Sequence, residues 1–205
     1  MTTPNLPTVF QAVIHGIENA FAQYQEWSGG EWLHQAPEYL QTVEIARELK
    51  RIGTPFIELE KSVSDSIVQA GIKGPGPLPK SIARSSKDSG KSGAFDLFIW
   101  KEETPWGIIE VKRQPNGTTE LASDLTRTTS LLAHRADNNP LEFGISAFFF
   151  SAPWKDNIDA LVQSYVDFAS GYEMDSVSLS PMIGKTHNAG EDGSWKAVCL
   201  AYIRK

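Results

Sequence analysis

The sequence predicts one α/β domain in which helices flank a mixed central sheet. Two kinds of pattern alternate along the chain: apolar residues that recur every three or four positions, and β-rich apolar runs. The length of 205 residues allows one substantial core and falls short of what two independent domains usually need. A content of 40% hydrophobic and 21% charged residues is ordinary for a globular protein, so we treat residues 1–205 as a single domain.

Two helices and a strand are predicted in the first part of the chain. Apolar side chains recur at helical spacing over residues 8–24, and the glycine pair at 29–30 ends that pattern. Pro37 suits the first turn of a second helix, which runs to Gly53. Apolar and charged residues then alternate over residues 55–63, which is typical of a strand with one wet face.

A long loop is predicted over residues 71–93, which are dense in Gly, Pro, Ser and Lys. Five basic residues and one acid lie between Lys73 and Lys91, whereas the whole chain has a formal net charge of -6. A polyanion would therefore be drawn to this stretch first. A solvated loop explains these charges equally well. The candidate nucleic-acid-binding residues are Lys80, Arg84, Lys87 and Lys91.

A hairpin and further helices and strands are predicted after this loop. The hairpin is indicated by AFDLFIW and GIIEVKR, two β-rich runs joined by the polar turn KEETPW. Helical spacing over residues 119–135 predicts the next helix, and the apolar run FGISAFFF predicts a buried central strand. Helical spacing returns over residues 156–170. The last two predicted strands are SVSLSPMIG and WKAVCLAYI.

Two acids of the hairpin are predicted to face each other. An antiparallel pairing centred near Glu103 places Asp96 opposite Glu110, with Cβ atoms about 5 Å apart. Because side chains alternate along a strand, Glu110 and Lys112 share the face that carries Asp96. Two carboxylates this close repel each other unless a cation lies between them or one keeps its proton.

This cluster of charges has two interpretations. Carboxylate ligands suit Mg²⁺ or Mn²⁺, and a neighbouring lysine can position the attacking water, so the residues fit phosphodiester hydrolysis. Charged residues are also common on the wet face of a hairpin, where a Glu/Lys pair needs no catalytic role. The spacing alone leaves both interpretations open.

The arrangement GAFDLFIW, short turn, GIIEVKR resembles the D…ExK signature of the PD-(D/E)xK nuclease superfamily. The resemblance spans roughly residues 39–150 and implies a restriction-endonuclease-like fold. It also implies that Asp96 and Glu110 bind the metal and that Lys112 orients the nucleophile. The usual proline before the aspartate is replaced by Phe95.

Many members of this superfamily also carry a metal-associated glutamate on a helix before the sheet. The resemblance assigns this role to Glu44, although Glu48 on the same helix and Glu58 on the next strand have similar placements. The expected activity is that of a Mg²⁺-dependent or Mn²⁺-dependent nuclease. DNA is favoured over RNA by family analogy alone. The alternative is a catalytically inactive relative that serves as a binding or assembly module.

Other sequence features concern the cellular location and the partners of the protein. No apolar run approaches the roughly 20 residues of a membrane-spanning helix, and the first residues lack the pattern of a secretory signal. We therefore expect a cytoplasmic protein without a membrane partner, and a homodimer is left open. Asp124 and Arg127 are three residues apart on a predicted helix, which favours a surface ion pair of little energetic value.

Overall fold

A computed structural model describes residues 4–62, 94–134, 139–153, 157–188 and 193–205. The predicted loop over residues 71–93 lies outside these ranges. The four candidate nucleic-acid-binding residues of that loop therefore have no structural description here, and their role stays a prediction. They are Lys80, Arg84, Lys87 and Lys91.

Four α-helices and seven strands occur in the described ranges. The helices are α1 (Leu6–Ser28), α2 (Glu38–Arg51), α3 (Ala122–Ala133) and α4 (Ile158–Ser170). The strands are β1 (Phe56–Ser62), β2 (Ala94–Lys101), β3 (Thr104–Lys112), β4 (Phe143–Ala152), β5 (Val177–Ile183), β6 (His187–Asn188) and β7 (Ser194–Arg204). None of these helices combines the length and hydropathy that crossing a bilayer would require.

The strands form one mixed, open sheet with the order β1-β2-β3-β4-β7-β5, and β6 also pairs with β7. β3 and β4 run parallel, while the other paired strands run antiparallel. This confirms the predicted α/β class and the predicted order of elements. The two-residue strand β6 was not expected, because it is too short to leave a hydrophobic pattern.

The sheet separates two apolar cores. One core packs against α1 and α2 and includes Ile109 and Val111 of β3. The other packs against α3 and α4 and includes Ile108 of the same strand. Because side chains alternate along β3, Glu110 and Lys112 point to the side of α3.

Two glycines allow the helices to approach their neighbours closely. A Cβ atom at Gly16 of α1 would lie 2.5 Å from Cα of Ile45 in α2, so only glycine permits this contact between the helices. A Cβ atom at Gly144 of β4 would lie 2.3 Å from Cγ2 of Thr128 in α3. The second contact brings α3 down onto the centre of the sheet, beside β3.

Candidate functional site

The candidate site begins where the β2–β3 hairpin opens. A bulge between Ile99 and Trp100 shifts the pairing near the turn by one residue. Beyond the bulge, Leu97 pairs with Ile109 and Phe98 pairs with Ile108, so the register there is symmetric about residue 103, as the sequence predicts. Continuing this register by one residue brings Asp96 opposite Glu110. The ladder between the two strands stops at Leu97, although β2 already begins at Ala94.

The Asp96 side chain replaces a strand partner at this opening. Its Oδ2 atom accepts a hydrogen bond from the backbone N–H of Val111 at 2.7 Å. β3 still pairs with β4 in this region, through Glu110 with Ser146 and Val111 with Ala147. The carboxylate therefore satisfies an amide that faces the side from which β2 has withdrawn.

Glu110 is ion-paired with an arginine. Only 2% of the residue is exposed, and its Oε1 atom accepts a hydrogen bond from Nη2 of Arg127 in α3. The same guanidinium nitrogen lies 3.1 Å from Oδ1 of Asp124, and the group packs 5.3 Å from the ring centroid of Phe95. The protein therefore supplies a cation of its own beside the buried acid.

Asp124 extends this ion pair to the lysine of the signature. Its Oδ2 atom lies 3.0 Å from Nζ of Lys112. Glu110, Arg127, Asp124 and Lys112 thus form a chain of alternating charge that links β3 to α3. Asp124 occupies the middle of this chain and contacts a cation with each carboxylate oxygen.

The predicted ion pair between Asp124 and Arg127 is therefore present, but its predicted position on the surface is wrong. Their side chains are only 7% and 10% exposed. On α3 they lie next to the apolar stripe that includes Leu125, and the facing strand presents Glu110 and Lys112 to them. The signal in the sequence was the position of each residue directly before a residue of the predicted helical face: Asp124 precedes Leu125, and Arg127 precedes Thr128. These positions lie at the edge of the buried stripe.

The electrostatics couple Asp96 to the same group of charges. Burial raises the pKa of Glu110 well above its ordinary value; the Arg127 charge opposes this shift, and the negative charges of Asp124 and Asp96 add to it. Burial also raises the pKa of Asp96, against the hydrogen bond from Val111. Both acids are thus held where ionisation is costly.

Lys112 shows the opposite balance. Burial is the largest single influence and acts to lower its pKa, but the charge and hydrogen bond of Asp124, together with the charges of Glu38 and Glu110, raise the pKa of the ammonium overall. The side chain remains 33% exposed, the largest exposure among the members of the charge chain. Lys112 therefore stays charged and partly accessible to solvent.

The glutamate of α2 that lies near Asp96 and Lys112 is Glu38, whereas the resemblance assigns the metal-associated role to Glu44. Glu44 is buried and ion-paired with Arg47, with an N–O distance of 2.8 Å. The acid of α2 that influences the pKa values of both Asp96 and Lys112 is Glu38. The other two acids considered also have different partners: Glu48 bonds Asn19 and Arg51, and Glu58 pairs with Lys61.

Glu38 lies near the site because the first turn of α2 meets the end of β3. Its Oε2 atom accepts a hydrogen bond from the backbone N–H of Arg113 at 2.7 Å. One turn later, Nε2 of Gln41 donates to the Arg113 carbonyl oxygen at 3.1 Å. Sequence reasoning missed Glu38, since its position next to Pro37 indicates only the start of a helix.

The donor set limits which metal ion the site suits. In the described ranges, no group of three or more His, Cys, Asp or Glu side chains is arranged to hold a metal ion. Mg²⁺, however, is commonly held by one or two carboxylates together with water and substrate phosphate. Asp96 and Glu110 fit that smaller donor set, and the negative charge of Asp96 adds to the rise in the pKa of Glu110 because like charges repel.

Comparison with known proteins finds no relative: no protein-family model, no curated protein and no solved structure matches the chain. The fold and site together define an α/β protein with a mixed, open sheet. Its charged site lies where parallel strand β3 ends, between the first turn of α2 and the buried face of α3.

Proposed function

We propose that this chain is a metal-dependent nuclease with a restriction-endonuclease-like fold, and that DNA is favoured over RNA as its substrate. The observation that carries the proposal is the register of β2 and β3, which continues from the Leu97–Ile109 pair to bring Asp96 opposite Glu110. Asp96, Glu110 and Lys112 occupy the three positions of the D…ExK signature and share one face of the sheet. The preference for DNA rests on family analogy.

Asp96 and Glu110 would hold Mg²⁺ or Mn²⁺, which would supply polarisation of a phosphate oxygen and a more acidic water. Arg127 fixes the direction of the Glu110 carboxylate, and Val111 fixes that of Asp96. The exposed part of Lys112 offers an ammonium group that can orient the attacking water or contact the phosphate.

The helix glutamate of the proposal is Glu38 in preference to Glu44. Glu38 acts electrostatically on both Asp96 and Lys112, whereas Glu44 is ion-paired with Arg47. An acid at this position would add negative charge beside the cation and could contact it through water. A comparison of Glu38→Gln with Glu44→Gln tests the choice, because we expect only the first to weaken Mn²⁺ binding.

A second candidate is a catalytically inactive binding or assembly module, and the Glu110–Arg127 ion pair favours it. The guanidinium already neutralises the acid that a divalent cation would otherwise neutralise. A relative that has lost its metal would need such a replacement charge to keep Glu110 buried.

Metal titration separates the two candidates. We expect Mn²⁺ to bind the purified protein, the affinity to fall in Asp96→Asn, and Lys112→Ala to keep the metal while losing cleavage of DNA. Lys61→Ala is a matched control, since Lys61 is also a strand lysine paired with an acid, Glu58 at 2.9 Å, but belongs to β1. If the wild type neither binds Mn²⁺ or Mg²⁺ nor cuts single-stranded or double-stranded DNA or RNA, the inactive module is correct.

A further inference from the structure

We infer that Asp124 and Arg127 of α3 are positioning residues of this site: Asp124 holds the Lys112 ammonium and Arg127 holds the Glu110 carboxylate. The inference rests on the proposed function and extends it to a helix that the D…ExK signature does not include. Asp124 and Arg127 are buried, whereas the sequence pattern alone predicts a surface pair.

Asp124 restricts the lysine. Lysine has a long, flexible stem, so an ammonium group without a fixed partner samples many positions. The Lys112 Nζ atom lies 3.0 Å from Asp124, whose residue is only 5% exposed and is fixed on its other side by Arg127. Holding a reacting group in place before the substrate arrives lowers the entropic part of the barrier.

Arg127 ties both strands of the hairpin to α3. It bonds Glu110 of β3 and packs on the ring of Phe95, the residue before Asp96 in β2. A planar guanidinium can hold two carboxylates and an aromatic ring in fixed directions, which a lysine at this position cannot. The close contact of Thr128 with Gly144 keeps α3 at the height where both residues reach β3.

The exposure of the four side chains argues for a role in the reaction. Three members of the charge chain have side-chain exposures of 3% to 10%, whereas Lys112 at its end reaches 33%. A network that served stability alone would not need an end that opens to solvent beside Asp96. The buried members therefore form a fixed support that presents the accessible ammonium group of Lys112.

Asp124→Asn tests the inference because asparagine keeps the shape and removes the charge. We expect kcat for DNA cleavage to fall about 10- to 100-fold, the range found when groups that orient a metal-site residue are removed, while KM and the Mn²⁺ dissociation constant stay within about 3-fold. Asp124→Glu keeps the charge and should recover part of kcat; it also carries the test if the asparagine variant does not fold. Arg127→Lys should instead weaken Mn²⁺ binding, because it acts through Glu110.

The matched control is Asp159→Asn, which removes another Asp–Lys pair, with Lys196 at 2.5 Å on a different helix and strand. Its kcat should equal that of the wild type. A readout independent of cleavage is the ¹⁵N signal of the Lys112 ammonium, which we expect to be protected from exchange in the wild type and lost in Asp124→Asn.

Two outcomes separate this inference from the proposal beneath it. A wild type that binds Mn²⁺ and cleaves DNA, with Asp124→Asn equally active or with an unchanged Lys112 signal, overturns the inference alone. A wild type that neither binds Mn²⁺ nor cleaves overturns the proposed function and the inference with it. An equal loss of kcat in the Asp124 and Asp159 variants also overturns the inference, because it would mark a general effect of removing the negative charge of an Asp–Lys pair.

Discussion

Replacement of Arg127 by methionine removes the guanidinium that neutralises two buried acids, Glu110 and Asp124. Methionine keeps an unbranched apolar stem, so most of the loss is electrostatic. Asp124 retains Lys112 as a partner, whereas Glu110 is left without its buried cation. Because Glu110 is only 2% exposed, water cannot replace the arginine, and the carboxyl group takes up a proton.

The free energy needed to protonate Glu110 sets the size of the loss in stability. Each pH unit above the ordinary pKa of 4.5 adds about 1.4 kcal/mol, which gives a ceiling of about 3 kcal/mol at pH 7 for Glu110. The pKa of Glu110 is already raised in the wild type, so the expected loss in the free energy of unfolding lies below this ceiling. For a domain of this size, such a loss lowers Tm by at most roughly 12 °C. At pH 5 the same cost falls below about 1 kcal/mol.

Urea unfolding at pH 7 and pH 5 measures both values, provided that the m-value is unchanged. Arg51→Met is the matched control: Arg51 also pairs with an acid three residues earlier, Glu48, but the arginine side chain is 68% exposed and Glu48 keeps a hydrogen bond from Asn19. We expect the control to lose less than about 1 kcal/mol at either pH. The reasoning is refuted if the two variants are equally stable at pH 7, or if the loss in Arg127→Met is as large at pH 5 as at pH 7.

Three further predictions concern Asp96, the pH dependence and the sheet. Asp96→Asn, which keeps a hydrogen-bond acceptor, should raise the stability of the metal-free protein by about 0.5–1 kcal/mol and remove the rise in Tm that Mg²⁺ causes in the wild type, as measured by scanning fluorimetry. The pKa values of Asp96 and Glu110 are raised, so the stability that these groups contribute below their ordinary pKa values of 3.8 and 4.5 is lost as the pH rises above those values. The free energy of unfolding, measured in urea from pH 4 to 8, should therefore fall less steeply with pH in the double variant Asp96→Asn/Glu110→Gln than in the wild type. An equal slope in the two proteins would contradict this prediction. Gly107→Ala places a Cβ atom 2.2 Å from the ring of Phe143 and should cost about 1–3 kcal/mol, whereas Gly117→Ala, with nothing within 4 Å of its Cβ, should stay within about 0.5 kcal/mol in the same urea assay.

Much of the architecture follows from local patterns in the sequence. Each predicted helix and strand in the described ranges is present, because hydrophobic spacing and turn residues determine these elements over short distances. The predicted register is also present at Leu97 and Ile109, although a bulge between Ile99 and Trp100, which the sequence analysis did not predict, shifts the pairing nearer the turn. The closeness of Asp96 and Glu110 follows from that register.

The contacts that the site residues make with other elements could not be predicted from local sequence patterns. Whether Asp124 and Arg127 face water or protein depends on what β3 presents to α3, which only the packed sheet determines. The choice between Glu38 and Glu44 likewise depends on where α2 meets β3, and both acids lie on the same helix. A helical pattern describes one element at a time, so it carries no information about such contacts.

The end of β3 is the place where both layers of helices meet the sheet. Glu38 reaches it from the layer of α1 and α2, and Asp124 reaches it from the layer of α3 and α4. A folding intermediate that had assembled only one layer would therefore lack half of the site. Protection of the Arg113 amide from hydrogen exchange, which depends on its bond to Glu38, should therefore report that the layer of α1 and α2 has docked at the end of β3.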